Sequence, residues 1–166
     1  MTDTIPRRSP WLVLSLFWGS ILLSLMLPWG LLTLFEVSAH RRTLGEALRH
    51  VTLHFFAPGH HYYLIGLLSA APFMACAVFL LFHLNDQVSP AQFSRRLSGV
   101  LGSLVLMFGI AFWTHLSALL YPDAQGALVY FFLPYILVVL IPLGYAMGRL
   151  FQAFIHLIRR GDVEPS

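Results

Sequence analysis

The sequence has no lysine, one cysteine and few charged residues of either sign. Only 10% of its 166 residues are charged and 58% are hydrophobic, whereas an average soluble domain carries about 25% charged residues. So few charges cannot cover the surface of a water-soluble domain, and the mean hydropathy of +0.76 agrees with that conclusion. Lipid is therefore the expected solvent for much of the chain.

The lone cysteine argues against a dithiol redox protein, and the spacing of the basic residues argues against a nucleic-acid binder. Cys76 has no second cysteine with which to form an intrachain disulfide or a Cys-x-x-Cys redox centre, so we expect it to pack as a small hydrophobe. All ten basic residues are arginines, and no more than two are consecutive. This spacing lacks the basic and aromatic surface of a nucleic-acid binder and is typical of arginines that flank membrane helices.

Four long apolar stretches predict an all-α integral membrane protein with four transmembrane helices. The stretches cover about 11–35, 62–84, 97–120 and 127–147. Each reaches the ~20 residues that a helix needs to cross a hydrocarbon core of ~30 Å. Because backbone groups in lipid must find hydrogen-bond partners within their own segment, we expect these stretches to be helical.

The placement of the arginines predicts the orientation of the chain. Seven arginines fall on one side of the predicted spans and three on the other, and arginine is enriched on the cytoplasmic side of membrane proteins. We therefore predict a multi-pass protein of the bacterial inner membrane with both termini in the cytoplasm. Residues 1–10 would form a cytoplasmic segment, 11–160 a single domain, and 161–166 a disordered cytoplasmic tail.

Helix-start signals support this arrangement. Ser89 and Gln92, with Pro90 between them, have the spacing of a capping box, so the third span is expected to begin before its apolar part. Asp123 is placed to cap the fourth span, and the short connection between these spans makes them antiparallel neighbours. Residues 149–158 continue the helical pattern as an inner amphipathic extension.

The first outer connection is predicted to contain a short amphipathic helix over residues 44–56. Thr43 and Glu46 have the spacing of a second capping box. Apolar residues then recur at helical spacing, which favours a helix lying on the outer membrane face or across the ends of the spans. This apolar stripe is a predicted interaction surface, and it consists of Leu44, Leu48, Val51 and Phe55.

The polar side of the same helix is a candidate metal site. Glu46, His50 and His54 follow one another at intervals of four residues, so the three side chains share one helix face. Imidazole and carboxylate are suitable ligands for zinc or another divalent transition metal. The alternative is a polar helix face without a ligand.

Histidines near the spans allow haem to be considered as well, since membrane four-helix cytochromes hold haem between paired histidines. His83 and His115 fall near opposite faces of the predicted bundle, so a haem would need a loop histidine such as His54 or His60. The leading expectation is a protein without a cofactor, and metal and haem are alternatives to it.

The predicted spans contain no carboxylate at mid-depth. Ionisable groups inside membranes usually mark ion pathways, so this composition argues against an ion-coupled transporter or a proton pump. Ser117 and His115 are only two residues apart and point to different helix faces, which does not make a nucleophile and base pair. The sequence therefore predicts no catalytic residue.

Small residues at four-residue spacing predict close helix contacts. The Gly144 and Gly148 pair is the second predicted interaction surface, and similar pairs are Ser94 with Ser98, Ser98 with Gly102, and Ala71 with Ala75. A bundle rich in packing motifs and poor in chemistry favours a non-enzymatic protein that binds lipids and another membrane protein or a second copy of itself. The alternatives are a small oligomeric transporter or channel, and a metal- or haem-binding protein. In layout the chain resembles bacterial four-helix immunity proteins.

Overall fold

The computed structural model describes residues 10–56, 62–85, 89–121 and 124–161. In this part of the chain all regular structure is helical. The helices are α1 (Pro10–Ala39), α2 (Leu44–Phe56), α3 (Tyr62–Asn85), α4 (Pro90–Leu120) and α5 (Ala124–Gly161). Three segments are long and apolar enough to cross a membrane, namely Pro10–Ala39, Pro90–Leu120 and Phe131–Ile158. The all-helical membrane character predicted from composition is confirmed at this level.

Two predicted capping boxes are present. The Ser89 hydroxyl accepts a hydrogen bond from the Gln92 amide, and the Gln92 side chain accepts one from the Ser89 amide, both at 3.3 Å. The Thr43 amide likewise donates to the Glu46 carboxylate at 3.0 Å. These bonds satisfy amides that the first helical turn leaves without partners, so α4 begins at Pro90 and α2 at Leu44. The predicted cap at Asp123 lies outside the described residues.

The helices are longer than the apolar stretches that predicted them. α5 is a single helix of 38 residues, within which both Pro134 and Pro142 are accommodated. At 1.5 Å per residue it is about 57 Å long, and α4 with 31 residues is about 46 Å long. The apolar stretch marks the part of a helix that is suited to lipid. Each helix continues beyond that part and lies alongside its neighbour. The predicted extension over 149–158 is thus the last part of α5 itself.

The core lies where α3, α4 and α5 meet, with α1 packed against α3 and α4. Within the described residues α1 and α5 do not contact each other. The central cluster is apolar and includes Phe73, Leu80, Met107, Leu133 and Leu137. Cys76 is buried in this cluster, as its apolar surroundings in the sequence predicted.

The chain reverses sharply between α1 and α2. Arg41 has a φ of 53°, a left-handed conformation that costs a non-glycine residue roughly 1 kcal/mol. The Arg42 amide bonds back to the Glu36 carbonyl at 3.4 Å. This reversal brings α2 into contact with both α1 and α3, and it places α2 beside the last turn of α1.

Candidate functional site

A buried carboxylate connects α1 to α2. Glu36 lies in the last turns of α1, and only 12% of its side chain is exposed. Its Oε2 lies 3.2 Å from His40 Nδ1 and 3.1 Å from an Arg42 guanidinium nitrogen. Its Oε1 lies 3.4 Å from His50 Nδ1, on α2. We call these four residues the Glu36 cluster.

The contacts within the Glu36 cluster are mainly charge–charge contacts and not well-aligned hydrogen bonds. Although two nitrogen atoms lie within 3.2 Å of Oε2, that oxygen accepts no aligned hydrogen bond from the described residues. A short distance with poor alignment still stabilises opposite charges. The Arg42 guanidinium therefore acts as a counter-charge for the carboxylate, and the His40 and His50 rings contribute to that balance when they are protonated.

In the sequence, Glu36 directly follows the first predicted span, 11–35, and no cluster around it was predicted. One signal was present, since Glu36 and His40 are four residues apart and share a helix face. The contacts with Arg42 and His50 depend on the chain reversal at Arg41. The sequence does not indicate this reversal, because no glycine or asparagine stands at that position.

The structure separates two of the predicted metal ligands. The Glu46 carboxylate bonds to the Thr43 amide and hydroxyl, at 3.0 and 2.8 Å, whereas His50 Nδ1 faces Glu36. The His54 side chain lies outside those the structure describes. Among the described residues, no three histidine, cysteine, aspartate or glutamate side chains are grouped to hold a metal ion. The site formed by Glu46, His50 and His54 stays a prediction.

The bonds from Thr43 give Glu46 a testable pKa. The Thr43 hydroxyl, and secondarily its amide, hold the pKa of Glu46 below the ordinary value of 4.5. Because the folded state favours the ionised carboxylate, this capping interaction contributes stability above the ordinary pKa and loses it as the pH falls through the lowered value. We expect Thr43→Val to raise the pKa of Glu46 towards 4.5.

A carboxyl NMR titration of the detergent-solubilised protein would measure this shift. Thr52→Val is the matched control, since the Thr52 hydroxyl bonds to the Leu48 carbonyl and has no bond to Glu46. Equal Glu46 pKa values in the two variants would contradict the prediction.

The predicted apolar stripe of α2 is divided between the core and the surface. Val51 is buried and Leu48 is half-buried, whereas Leu44 is 62% exposed. The side chain of Phe55 lies outside those described. Ala47 is also buried and was missed, because alanine carries a weak apolar signal. The inner face of α2 is therefore centred on Ala47 and Val51, four residues apart.

The second predicted surface is occupied within the chain. Gly144 and Gly148 are buried against α4, where a Cβ on Gly144 would lie 2.6 Å from the Ser103 Cα. The Ser98 hydroxyl donates to the Gly148 carbonyl at 2.6 Å. The glycines thus allow α5 to approach α4 at backbone distance, as small residues do in membranes. A partner would have to displace α4 to reach them.

The other α4–α5 contacts follow the same antiparallel register. The Ser103 hydroxyl donates to the Ile141 carbonyl at 2.7 Å, and the Gln152 amide donates to the Ser94 hydroxyl at 2.8 Å. Of the small-residue pairs in the sequence, Ala71 and Ala75 face outward from α3.

His83 connects three helices. Its Nε2 lies 2.7 Å from the Tyr145 hydroxyl of α5, and its ring stacks on Phe79 with centroids 5.0 Å apart. Its carbonyl accepts a bond from the Arg96 guanidinium of α4 at 2.8 Å. His115 is buried within α4. The geometry gives His83 a role in joining helices, and the loop histidines considered for haem lie outside the described side chains.

Comparison with family models, with curated proteins and with solved structures finds no match to this chain. Its function must therefore be argued from its own residues.

Proposed function

We propose that this chain is a four-span protein of a bacterial inner membrane, with both termini in the cytoplasm, and that it acts by binding another membrane protein. An accessory or assembly subunit and an immunity-type protein are the two forms of this role. The proposal involves no chemistry by the chain itself. It is supported by the spans, by the internal pairing of their polar groups and by the surface of α2.

The length of α3 supports the fourth span. This helix has 24 residues, which at 1.5 Å per residue is about 36 Å and exceeds the ~30 Å of a hydrocarbon core. The part of α3 whose side chains are described, Leu68–Leu84, is apolar. With four spans, the seven and three arginines fall on opposite sides of the membrane, and the richer side is the cytoplasmic one.

The polar groups of the spans support binding over transport. The hydroxyls of Ser20, Ser24 and Thr33 bond to carbonyls of their own helix, and those of Ser98 and Ser103 bond to α5. These bonds occupy the hydroxyls within the bundle, which favours a packed bundle over a pore lined by free hydroxyls. We infer that the spans form a scaffold.

The surface of α2 carries the proposal. Ala47 and Val51 are buried and His50 faces Glu36, so α2 is fixed on α1 and α3. The same helix leaves Leu44 and Leu53 each 62% exposed. Apolar side chains surrounded by charged ones match the apolar centre and polar rim of a protein interface. We take Leu44, in the first turn of α2, and Leu53, on the side of α2 away from Val51, as the partner-facing residues.

Photocrosslinking from single positions of the full-length protein in native membranes tests the proposal. A photoreactive residue at Leu44 or Leu53 is expected to give one product with a different membrane protein. Leu23 on α1 is the matched control, since it is also a leucine and is 54% exposed, but lies within an apolar span. Lipid products alone from all three positions would contradict partner binding. Products with a second copy of the chain would favour the oligomeric alternative.

A further inference from the structure

A cleft opens between the beginning of α4 and the end of α5. It has a volume of about 600 Å³. Its polar lining residues are Ser94, Arg95, Arg149, Gln152 and His156, and apolar side chains, among them Leu157, complete it. We call it the basic cleft, because its lining among the described residues includes two arginines and a histidine but no aspartate or glutamate.

The two arginines reach the cleft from different helices. Arg95 lies on α4 and Arg149 on α5, and both are exposed. Within the described residues neither forms an ion pair with a carboxylate. The Arg149 guanidinium carbon lies 6.0 Å from the centroid of the Tyr145 ring, so an aromatic face supports one side of it. Two guanidinium groups beside one cavity are suited to a ligand that accepts several hydrogen bonds, and phosphate is such a ligand.

The walls of the cleft are held together before any ligand arrives. The Gln152 amide donates to the Ser94 hydroxyl at 2.8 Å and so links α5 to α4 beside the arginines. The Gly148 contact with Ser98 lies one turn away and brings the two backbones together. A cleft with fixed walls loses less conformational entropy on binding than one that must close.

The surroundings of the cleft are apolar. Leu150, Phe151, Phe154 and Leu157 are exposed on the same part of α5. A basic cleft beside exposed apolar side chains matches the boundary of a bilayer, where acyl chains meet phosphate groups. The first turns of α4, which carry Ala91 and Ser94 into the lining, add the positive end of a helix dipole.

We propose that the basic cleft binds a phosphate group, carried either by the headgroup of an anionic phospholipid or by a soluble phosphate. Arg95 and Arg149 contact the phosphate oxygens, and the apolar side chains of α5 lie beside the acyl chains of a lipid ligand. This site is independent of the partner proposed for α2. Failure of one proposal therefore leaves the other standing.

Native mass spectrometry of the full chain in mild detergent tests the site. The protein is titrated with phosphatidylglycerol and, separately, with phosphatidylcholine of the same acyl chains. We expect the unsubstituted protein to retain phosphatidylglycerol. Arg149→Gln or Arg95→Gln is expected to lower the affinity for this lipid at least about tenfold, which corresponds to about 1.4 kcal/mol. Arg49→Gln on α2 removes the same charge away from the cleft and is expected to have little effect.

A parallel thermal-melting series with inorganic phosphate, against chloride at equal ionic strength, distinguishes the source of the ligand. Stabilisation by phosphate that Arg149→Gln removes, without retention of phosphatidylglycerol, would support the site and assign it to a soluble phosphate. Arg149→Lys keeps the charge without the paired donors and is expected to bind at an intermediate level. Equal retention of the two lipids, or equal losses in Arg49→Gln and Arg149→Gln, together with no phosphate-specific stabilisation, would overturn the proposal.

Discussion

Gly102→Ala is expected to separate α4 from α5, whereas Gly109→Ala on the same helix is expected to be tolerated. A Cβ on Gly102 would lie 2.8 Å from both the Cα and the nitrogen of Gly148, and it would also meet the Gly144 carbonyl oxygen. All of these are backbone atoms, so no side-chain rotation relieves the contact and the helices themselves must move apart. A Cβ on Gly109 would have no neighbour within 4 Å.

The cost of separation has two parts. Overpacking of a tight contact costs about 1–3 kcal/mol. Movement of α5 also weakens the bonds from Ser98 to Gly148 and from Ser103 to Ile141, and interhelical bonds in membranes contribute about 0.6 kcal/mol each. We therefore expect Gly102→Ala to lose about 2–4 kcal/mol. Gly109→Ala is expected to be neutral or to gain up to about 1 kcal/mol from helix propensity.

Unfolding by SDS in mixed micelles would compare the two variants with the unsubstituted protein. The contrast between them is the informative quantity, because each variant adds one methyl group to the same helix. Equal free energies of unfolding for the two variants would show that α4 and α5 are farther apart than the Gly102 contacts imply.

Glu36→Gln is expected to release α2 from the end of α1. The substitution keeps the shape of the side chain but removes the charge that faces Arg42, His40 and His50. The partners are between 36% and 54% exposed, so water screens part of each interaction and the loss is smaller than for a fully buried pair. We expect a loss of about 1–2 kcal/mol.

Hydrogen exchange of the α2 amides is the measurement for Glu36→Gln. A loss of 1.4 kcal/mol corresponds to exchange that is about tenfold faster, and we expect the increase in α2 but not in the central part of α4. Glu46→Gln is the matched control, because glutamine at this position of a capping box still accepts the Thr43 amide. If α2 exchanges at the same rate in both variants, Glu36 does not hold it in place.

Local signals in the sequence were sufficient to predict several elements. The α2 helix has the bounds predicted for it, since the Thr43 and Glu46 box defines its start. The capping signal at Ser89 likewise predicted that α4 begins before its apolar stretch. These signals work because a capping bond joins residues only three apart, so that no tertiary contact is needed to specify it.

Features that depend on distant contacts were not predicted. The glycines of α5 were recognised as a close-contact motif, but the sequence did not indicate whether their partner was α4 or another protein. The buried face of α2 is centred on Ala47 and Val51, and Leu44 lies exposed outside it, which the apolar pattern alone did not indicate. The Glu36 cluster and the basic cleft each bring together residues from two helices, and their assembly follows from helix register. Apolar periodicity does not determine that register.

The contacts at Gly102, Gly144 and Gly148 have a consequence for how the protein is made. α4 and α5 follow α1 and α3 in the chain, and their backbones lie closer together than a Cβ at these three glycines would permit. α1 and α3 leave the ribosome earlier, and α1 does not contact α5 within the described residues. α1 and α3 would therefore lie in lipid as a contacting pair, with the side that contacts α4 and α5 still exposed. α4 and α5 would then pack against that side as a hairpin that has already formed.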